Sequence, residues 1–199
     1  MILILDNFDS FTFNLVDYFN QLGKECEIIR NDIPPQNIDL YKYEALVLSP
    51  GPGKPKEAGY LMEYIRLFES EMPILGICLG HQAIASYFGA EVIKGIMPIH
   101  GKISKIHLVE NDEIFVGMPN LFDVVRYHSL VVKNIEQNML IPLANTSENE
   151  NMIFRHKYLP IYGIQYHPEA ALTQFGLKIL KNWTGLLRKN KEAILNKLP

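Results

Sequence analysis

Three short apolar runs limit most strongly what this chain can fold into: Ile2-Leu3-Ile4-Leu5, Ala45-Leu46-Val47-Leu48 and Ile74-Leu75-Gly76-Ile77. Each is too short for a helix and has no polar alternation, so it reads as a strand buried on both faces. The stretch SFTFNLVDYFNQLG lies between the first run and the next strand candidate, ECEIIR. It spaces Phe11, Leu15, Val16 and Phe19 as one helical face, with Asp9 or Ser10 placed to cap its start and Gly23 its end. GYLMEYIRLFES reads as a second helix ahead of MPILGIC. Strands alternating with helices imply βαβ units and a parallel sheet.

From about Glu91 the texture changes. EVIKG, KISKIHLV, DVVRYHSLVV, MLIPLANT and NMIFRHKY are short, partly alternating runs that suit antiparallel strands. LPIYGIQYHPE restores a buried strand. QFGLKILKNWTGLLRK then places Phe175, Ile179, Leu180, Trp183 and Leu187 on one face of a closing amphipathic helix. The expected fold is α/β, a single domain over residues 1–199. Its central sheet is open and mostly parallel, with helices on both faces and a small antiparallel excursion in the second half.

A net charge of −3 offers no basic surface for nucleic acid and no acidic tail. MILILDNFDS is apolar for only five positions and has no basic lead, so it is a first strand and not a signal peptide. No run approaches the roughly 20 apolar residues of a membrane span. Two cysteines, Cys26 and Cys78, make neither a disulfide framework nor a C-x-x-C pair. The expectation is a cytoplasmic, reducing location with Cys78 a free thiol.

Gly76-Ile77-Cys78-Leu79-Gly80 is G-x-C-x-G, the thiol counterpart of the G-x-S-x-G nucleophile elbow. The plain alternative is a small buried apolar cysteine. In the functional reading the glycines permit a sharp turn and leave room beside the thiol. The following helix directs its positive end at Cys78, favouring thiolate, and the Leu79 N–H can donate to an oxyanion. A nucleophilic cysteine needs a base with an orienting acid. Of six histidines, His167 ends a buried strand at the carboxyl edge that also carries Cys78, and Glu169 follows within reach of the ring. His81 reads as structural. Ser49-Pro50-Gly51-Pro52-Gly53 follows the third strand and fits neither a Walker loop nor G-x-G-x-x-G, but suits a second oxyanion donor.

Taken together, GICLGHQ, SPGPG and HPE resemble the nucleophile, oxyanion and His–Glu motifs of class I, triad-type glutamine amidotransferases. LDNFDSFTFNLVDY, HGK at 100–102 and RYHSLVV at 126–132 are similar to the amidotransferase components of anthranilate synthase and aminodeoxychorismate synthase. The resemblance implies a flavodoxin-like sheet and a Cys78–His167–Glu169 triad. It also implies an oxyanion pocket from Leu79 and residues Gly51, Pro52 and Gly53, and glutamine contacts from Gln82, Ser129 and Leu130. His128 could be structural or face a partner.

The same resemblance implies no metal or cofactor in this chain. No second domain is seen to consume ammonia, so it further implies a separate chorismate-binding synthase subunit, where Mg2+ is expected. The acceptor pathway, tryptophan or folate, stays open. The other functions weighed are a stand-alone cysteine γ-glutamyl hydrolase and a non-catalytic regulatory module. Two departures from the family pattern stand out: Ala170 where serine commonly follows H-P-E, leaving the rigidity of that turn in question, and Tyr166 for the commoner phenylalanine.

Overall fold

The computed structural model describes residues 1–95, 99–135 and 139–195, with side chains up to Leu187. The expected single domain also takes in residues 96–98, 136–138 and 196–199, which lie outside the described residues. The first half runs β1 (Ile2–Asp6), α1 (Thr12–Gln21), β2 (Cys26–Arg30), β3 (Ala45–Leu48), α2 (Leu61–Phe68), β4 (Ile74–Ile77) and α3 (Leu79–Tyr87). Then follow β5 (Glu91–Lys94), β6 (Lys102–Leu108), β7 (Leu121–Arg126), β8 (Leu130–Lys133), β9 (Leu140–Thr146), β10 (Asn151–His156), β11 (Ile161–Ile164) and α4 (Gly176–Leu195).

The main sheet has the order β2-β1-β3-β4-β11-β10-β9-β6-β7. Its first five strands are mutually parallel, in the doubly wound order of flavodoxin-like folds. The antiparallel excursion takes two forms. β10, β9, β6 and β7 extend the main sheet, while β5 and β8 pair as a small sheet of their own.

Every residue of β1, β3 and β4 is buried, because helices cover both faces. Side chains alternate across the sheet, so neighbouring strand residues enter different cores. Ile2, Ile4, Val47 and Ile77 pack beneath Leu15 and Phe19 of α1 and Ile179, Leu180 and Trp183 of α4. Leu3, Leu5, Leu46 and Leu48 pack beneath Leu61, Ile65 and Phe68 of α2 and Ala83 and Ile84 of α3.

Three local expectations change. Neither Asp9 nor Ser10 caps α1, which starts after Phe11. Asp9 Oδ1 instead accepts from the Phe11 N–H at 2.8 Å, and Asp6 Oδ1 takes the Thr12 hydroxyl at 2.8 Å. Phe175 stands outside α4 because its φ of +58° is incompatible with a right-handed helix, and its ring packs on Phe122. DVVRYHSLVV is two strands, since residues 127–129 cross from the main sheet to the small one.

α3 approaches the strands beneath it closely. A Cβ on Gly76 would lie 2.4 Å from the Gly80 backbone, and one on Gly80 would lie 2.4 Å from the Leu48 carbonyl oxygen. Gly185 on α4 has nothing within 4 Å of such an atom. Gly80→Ala is therefore expected to lower the unfolding free energy by about 1–3 kcal/mol or more through overpacking. Gly185→Ala should raise it by up to about 1 kcal/mol through helix propensity. Urea denaturation of both variants checks the pair, and equal midpoints would contradict it.

Candidate active site

Cys78 leaves β4 with φ +50° and ψ −97° and is followed directly by the first residue of α3. A positive φ is costly for a side chain of this kind and persists only where the surroundings enforce it. Here the Cys78 N–H donates to the Ile164 carbonyl at 2.8 Å, and the Cys78 carbonyl accepts from the Gln82 N–H at 3.1 Å. The expected role of the glycines needs correction. Neither Gly76 nor Gly80 carries a positive φ; the cysteine makes the sharp turn, and the glycines let α3 lie close enough to force it. The turn leaves the Leu79 N–H among the unpaired donors of the α3 N-terminus, beside the sulfur.

His167 stands just beyond β11, the strand next to β4. Its N–H donates to the Val125 carbonyl at 3.1 Å, and its carbonyl accepts from Thr173 Oγ1 at 2.7 Å. The ring donates from Nδ1 to Glu169 Oε1 at 2.6 Å, with both side chains buried. That bond engages Nδ1 and leaves Nε2 as the nitrogen open to another partner. Phe11 and Tyr127 hold the ring edge-on, each with its centroid 5.2 Å away. Nε2 has no hydrogen bond of regular geometry, yet the Cys78 sulfur is near enough to act on its charge. Burial opposes the imidazolium, but Cys78 and the Glu169 carboxylate outweigh it and push the His167 pKa up to about 10.

The SPGPG loop closes the third side. Ser49 Oγ accepts from the Asn7 N–H at 2.9 Å, and Asn7 Nδ2 donates to the Ser49 carbonyl at 2.9 Å. Asn31 Nδ2 in turn steadies Asn7 Oδ1 at 2.9 Å. A Cβ on Gly51 would lie 2.7 Å from the Leu79 side chain, so this backbone reaches the start of α3, whereas Pro52 and Gly53 sit exposed at the rim. Gln82 is buried, and its Nε2 donates to the Leu130 carbonyl at 3.3 Å and Gln165 Oε1 at 3.2 Å. Ser129 is exposed, and its carbonyl accepts from the Gly95 N–H at 2.8 Å. Gln82 is thus tied to Leu130, and Ser129, next to Leu130 in the chain, to Gly95 beyond β5.

His81 lies fully buried and donates from Nε2 to Asn151 Oδ1 at 3.1 Å, consistent with a structural role. The turn at Ala170 is held without a serine. The Ala170 N–H donates to the His167 carbonyl at 3.3 Å, the Thr173 N–H donates to the Ala170 carbonyl at 2.9 Å, and Thr173 Oγ1 supplies the side-chain brace. Asn7, Asn31 and Thr173 escaped the sequence reading because bracing residues carry no motif of their own. A polar residue directly after a buried strand, as Asn7 is, was the available signal. Among the described residues no three His, Cys, Asp or Glu side chains gather as metal ligands.

Burial pushes His81 down to about 4, and burial followed by the Arg126 charge pushes His128 down to about 3. Below about pH 6.5 the unfolded chain protonates both rings while the folded one refuses, so acid favours unfolding. The contribution of these two rings should therefore be full above pH 6.5 and fall steadily toward pH 3–4, by a few kcal/mol in total, while that of His167, with its raised pKa, is full below pH 6.5 and is lost only toward pH 10. Melting temperatures between pH 6.5 and pH 3–4 check this; a flat profile would contradict it. His81→Gln should remove part of the slope.

The family model for glutamine amidotransferase class-I matches residues 3–185. The aminodeoxychorismate/anthranilate synthase component 2 of Bacillus subtilis is 44% identical over 95% of this chain and 98% of its own. The anthranilate synthase component 2 of Pseudomonas aeruginosa is 43% identical, over 92% of this chain and 94% of its own. A solved structure from Thermoplasma acidophilum, named for GMP synthase, superposes with a TM-score of 0.86 at 32% identity, covering 96% of both chains. With the elbow cysteine, the His–Glu pair and the braced loop meeting at one sheet edge, this chain belongs to the class I glutamine amidotransferases.

Proposed function

We propose that the chain is the glutamine-hydrolysing subunit of a chorismate-using synthase that makes anthranilate, 4-amino-4-deoxychorismate or both. The observation that carries the chemistry is the meeting of an elbow cysteine at the end of β4 with a Glu169-anchored imidazole at the end of β11. The relatives' names, component 2 of the two synthases, support the acceptor and the partner.

Cys78 is the nucleophile, His167 the proton carrier and Glu169 the group that orients it. His167, held toward its charged form by Cys78 and Glu169, is the store of the proton that the leaving nitrogen needs. The sulfur adds to the side-chain amide carbon of glutamine, and the new oxyanion accepts from the Leu79 and Gly51 N–H groups. One such donor contributes about 10²–10³ in rate. His167 gives its proton to the amide nitrogen, the C–N bond breaks and ammonia leaves a glutamyl thioester. Water then adds, yielding a proton to His167, and the C–S bond breaks to release glutamate. Gln82, Ser129 and Leu130 hold the glutamine.

Ammonia passes to the partner's chorismate site, and docking raises the hydrolysis rate by shifting the loops around Cys78 and Gly51 toward their reactive arrangement. A cytoplasmic location belongs to the same reading. Retention of all three triad residues speaks against a non-catalytic module, and the component 2 relatives speak against a stand-alone γ-glutamyl hydrolase.

Cys78→Ser is expected to lower glutamine-dependent synthesis by about 10³-fold or more while synthesis from added ammonia continues at the parent rate. The purified chain mixed with chorismate and each candidate synthase subunit checks both points through the product formed. Glutamine-dependent synthesis surviving in the serine variant would remove Cys78 from its role. Glutaminase activity unmoved by any partner would remove the synthase.

A further inference from the structure

A buried charged strut lies behind Leu130, unused by the bond-making groups. Arg126, at the end of β7, is almost wholly buried and pairs through Nη2 with Glu150 in the turn between β9 and β10. Its Nε donates to His128 Nε2 at 3.0 Å. That bond makes Nδ1 the protonated nitrogen of His128, and Nδ1 donates to the Leu130 carbonyl at 2.8 Å. The same carbonyl accepts from Gln82 Nε2, which also serves Gln165. With its amide protons engaged there, Gln82 presents Oε1 as the atom it offers a ligand. The acidic end of the strut returns to the same place. A Cβ on Gly95 would lie 3.4 Å from the Ser129 carbonyl and 3.8 Å from Glu150 Oε1.

A buried ion pair contributes little net stability, since desolvation offsets the attraction, and apolar side chains could fill the space. Direction is what Arg126 and Glu150 add, because they dictate which way His128 is protonated. Tyr127, between Arg126 and His128, is anchored separately. Its ring packs against Phe11, His100 and His167, while its neighbours face Glu150 and the Leu130 carbonyl. The glutamine side and the imidazole side of this segment thus have independent supports.

We propose that Glu150, Arg126 and His128 are positioning residues that set the Leu130 carbonyl and the Gln82 carboxamide, and so govern how tightly glutamine is held without touching the reacting atoms. This rests on the glutaminase reading above. The test uses the full chain with its synthase subunit. His128→Ala should raise KM for glutamine about tenfold or more and leave kcat within about threefold, as loss of uniform binding does. Alkylation of Cys78 by iodoacetamide without glutamine should keep the parent rate. Glu150→Gln should move KM the same way, because Arg126 is left buried without its counter-charge. His128→Asn, whose amide can donate to the Leu130 carbonyl from the Nδ1 position, should recover most of the loss.

A fall in kcat at constant KM, no change in either constant, or an asparagine variant as poor as alanine would each overturn the proposal. If His128→Ala does not fold by circular dichroism, Glu150→Gln and His128→Asn decide. A parent chain that hydrolyses no glutamine with any partner would sink the glutaminase reading and this proposal together. An active parent whose variants behave otherwise sinks the positioning alone.

Discussion

Where α3 crosses the sheet, the Gly80 backbone lies against the Leu48 carbonyl and that of Gly76 against Gly80 itself. No side chain larger than hydrogen fits at either contact. This closeness lets α3 begin immediately after Cys78, with no loop to relax the turn, and it drives the cysteine into positive φ. The strained residue is tied on both sides by backbone bonds, to Ile164 of β11 and to Gln82 of α3. The sulfur, the first N–H groups of α3 and the end of β11 therefore share one rigid origin. Preorganisation of this kind keeps oxyanion donors aimed without reorganisation during reaction.

Three buried histidines around that origin show how environment divides one residue type into different roles. His81 and His128 are both driven toward the neutral form, chiefly by burial, and His128 further by Arg126. His167 suffers the same burial, yet Glu169 and Cys78 reverse the outcome and keep it charged. The difference lies in what each ring faces, an amide and a carbonyl for the first two, a carboxylate and a sulfur for the third. Neutral rings can accept as well as donate, and His128 does both, from Arg126 and to Leu130. A charged ring can only donate, which suits the proton-carrying part proposed for His167.

The parallel half of the fold was legible because each of its strands is a continuous apolar run, and such runs have only one environment to enter. The proposed triad was legible because Cys78, two residues from a glycine on either side, and His167, followed by Pro168, each sit just after such a run. Other features hid for physical reasons. Positive φ at Cys78 and Phe175 follows from packing of distant segments, not from local preference, so the glycines drew the wrong inference and Phe175 was assigned to a helix. The crossing at residues 127–129 was invisible because RYHSLVV is apolar enough on both sides to read as one strand. Arg126 and Glu150 are 24 residues apart and meet only after β9 and β10 fold back.

The sheet itself separates the elbow from the strut. Cys78, His167 and the SPGPG loop all follow strands of the parallel half, whose carboxyl ends share one edge. The strut behind Leu130 is built from β7 and the β9–β10 turn of the antiparallel half, with the small β5–β8 sheet carrying Leu130 across to α3. The two halves join at β11 and β10, and Gln165 stands just beyond that seam, bonded through its carboxamide to Gln82. Changes in the antiparallel half can therefore reshape the surroundings of Gln82 and Leu130 while the elbow, fixed by α3 against β3 and β4, stays as it is. The elbow depends on contacts between backbones that tolerate no side chain, and the placing of Leu130 and Gln82 on side chains that can be exchanged.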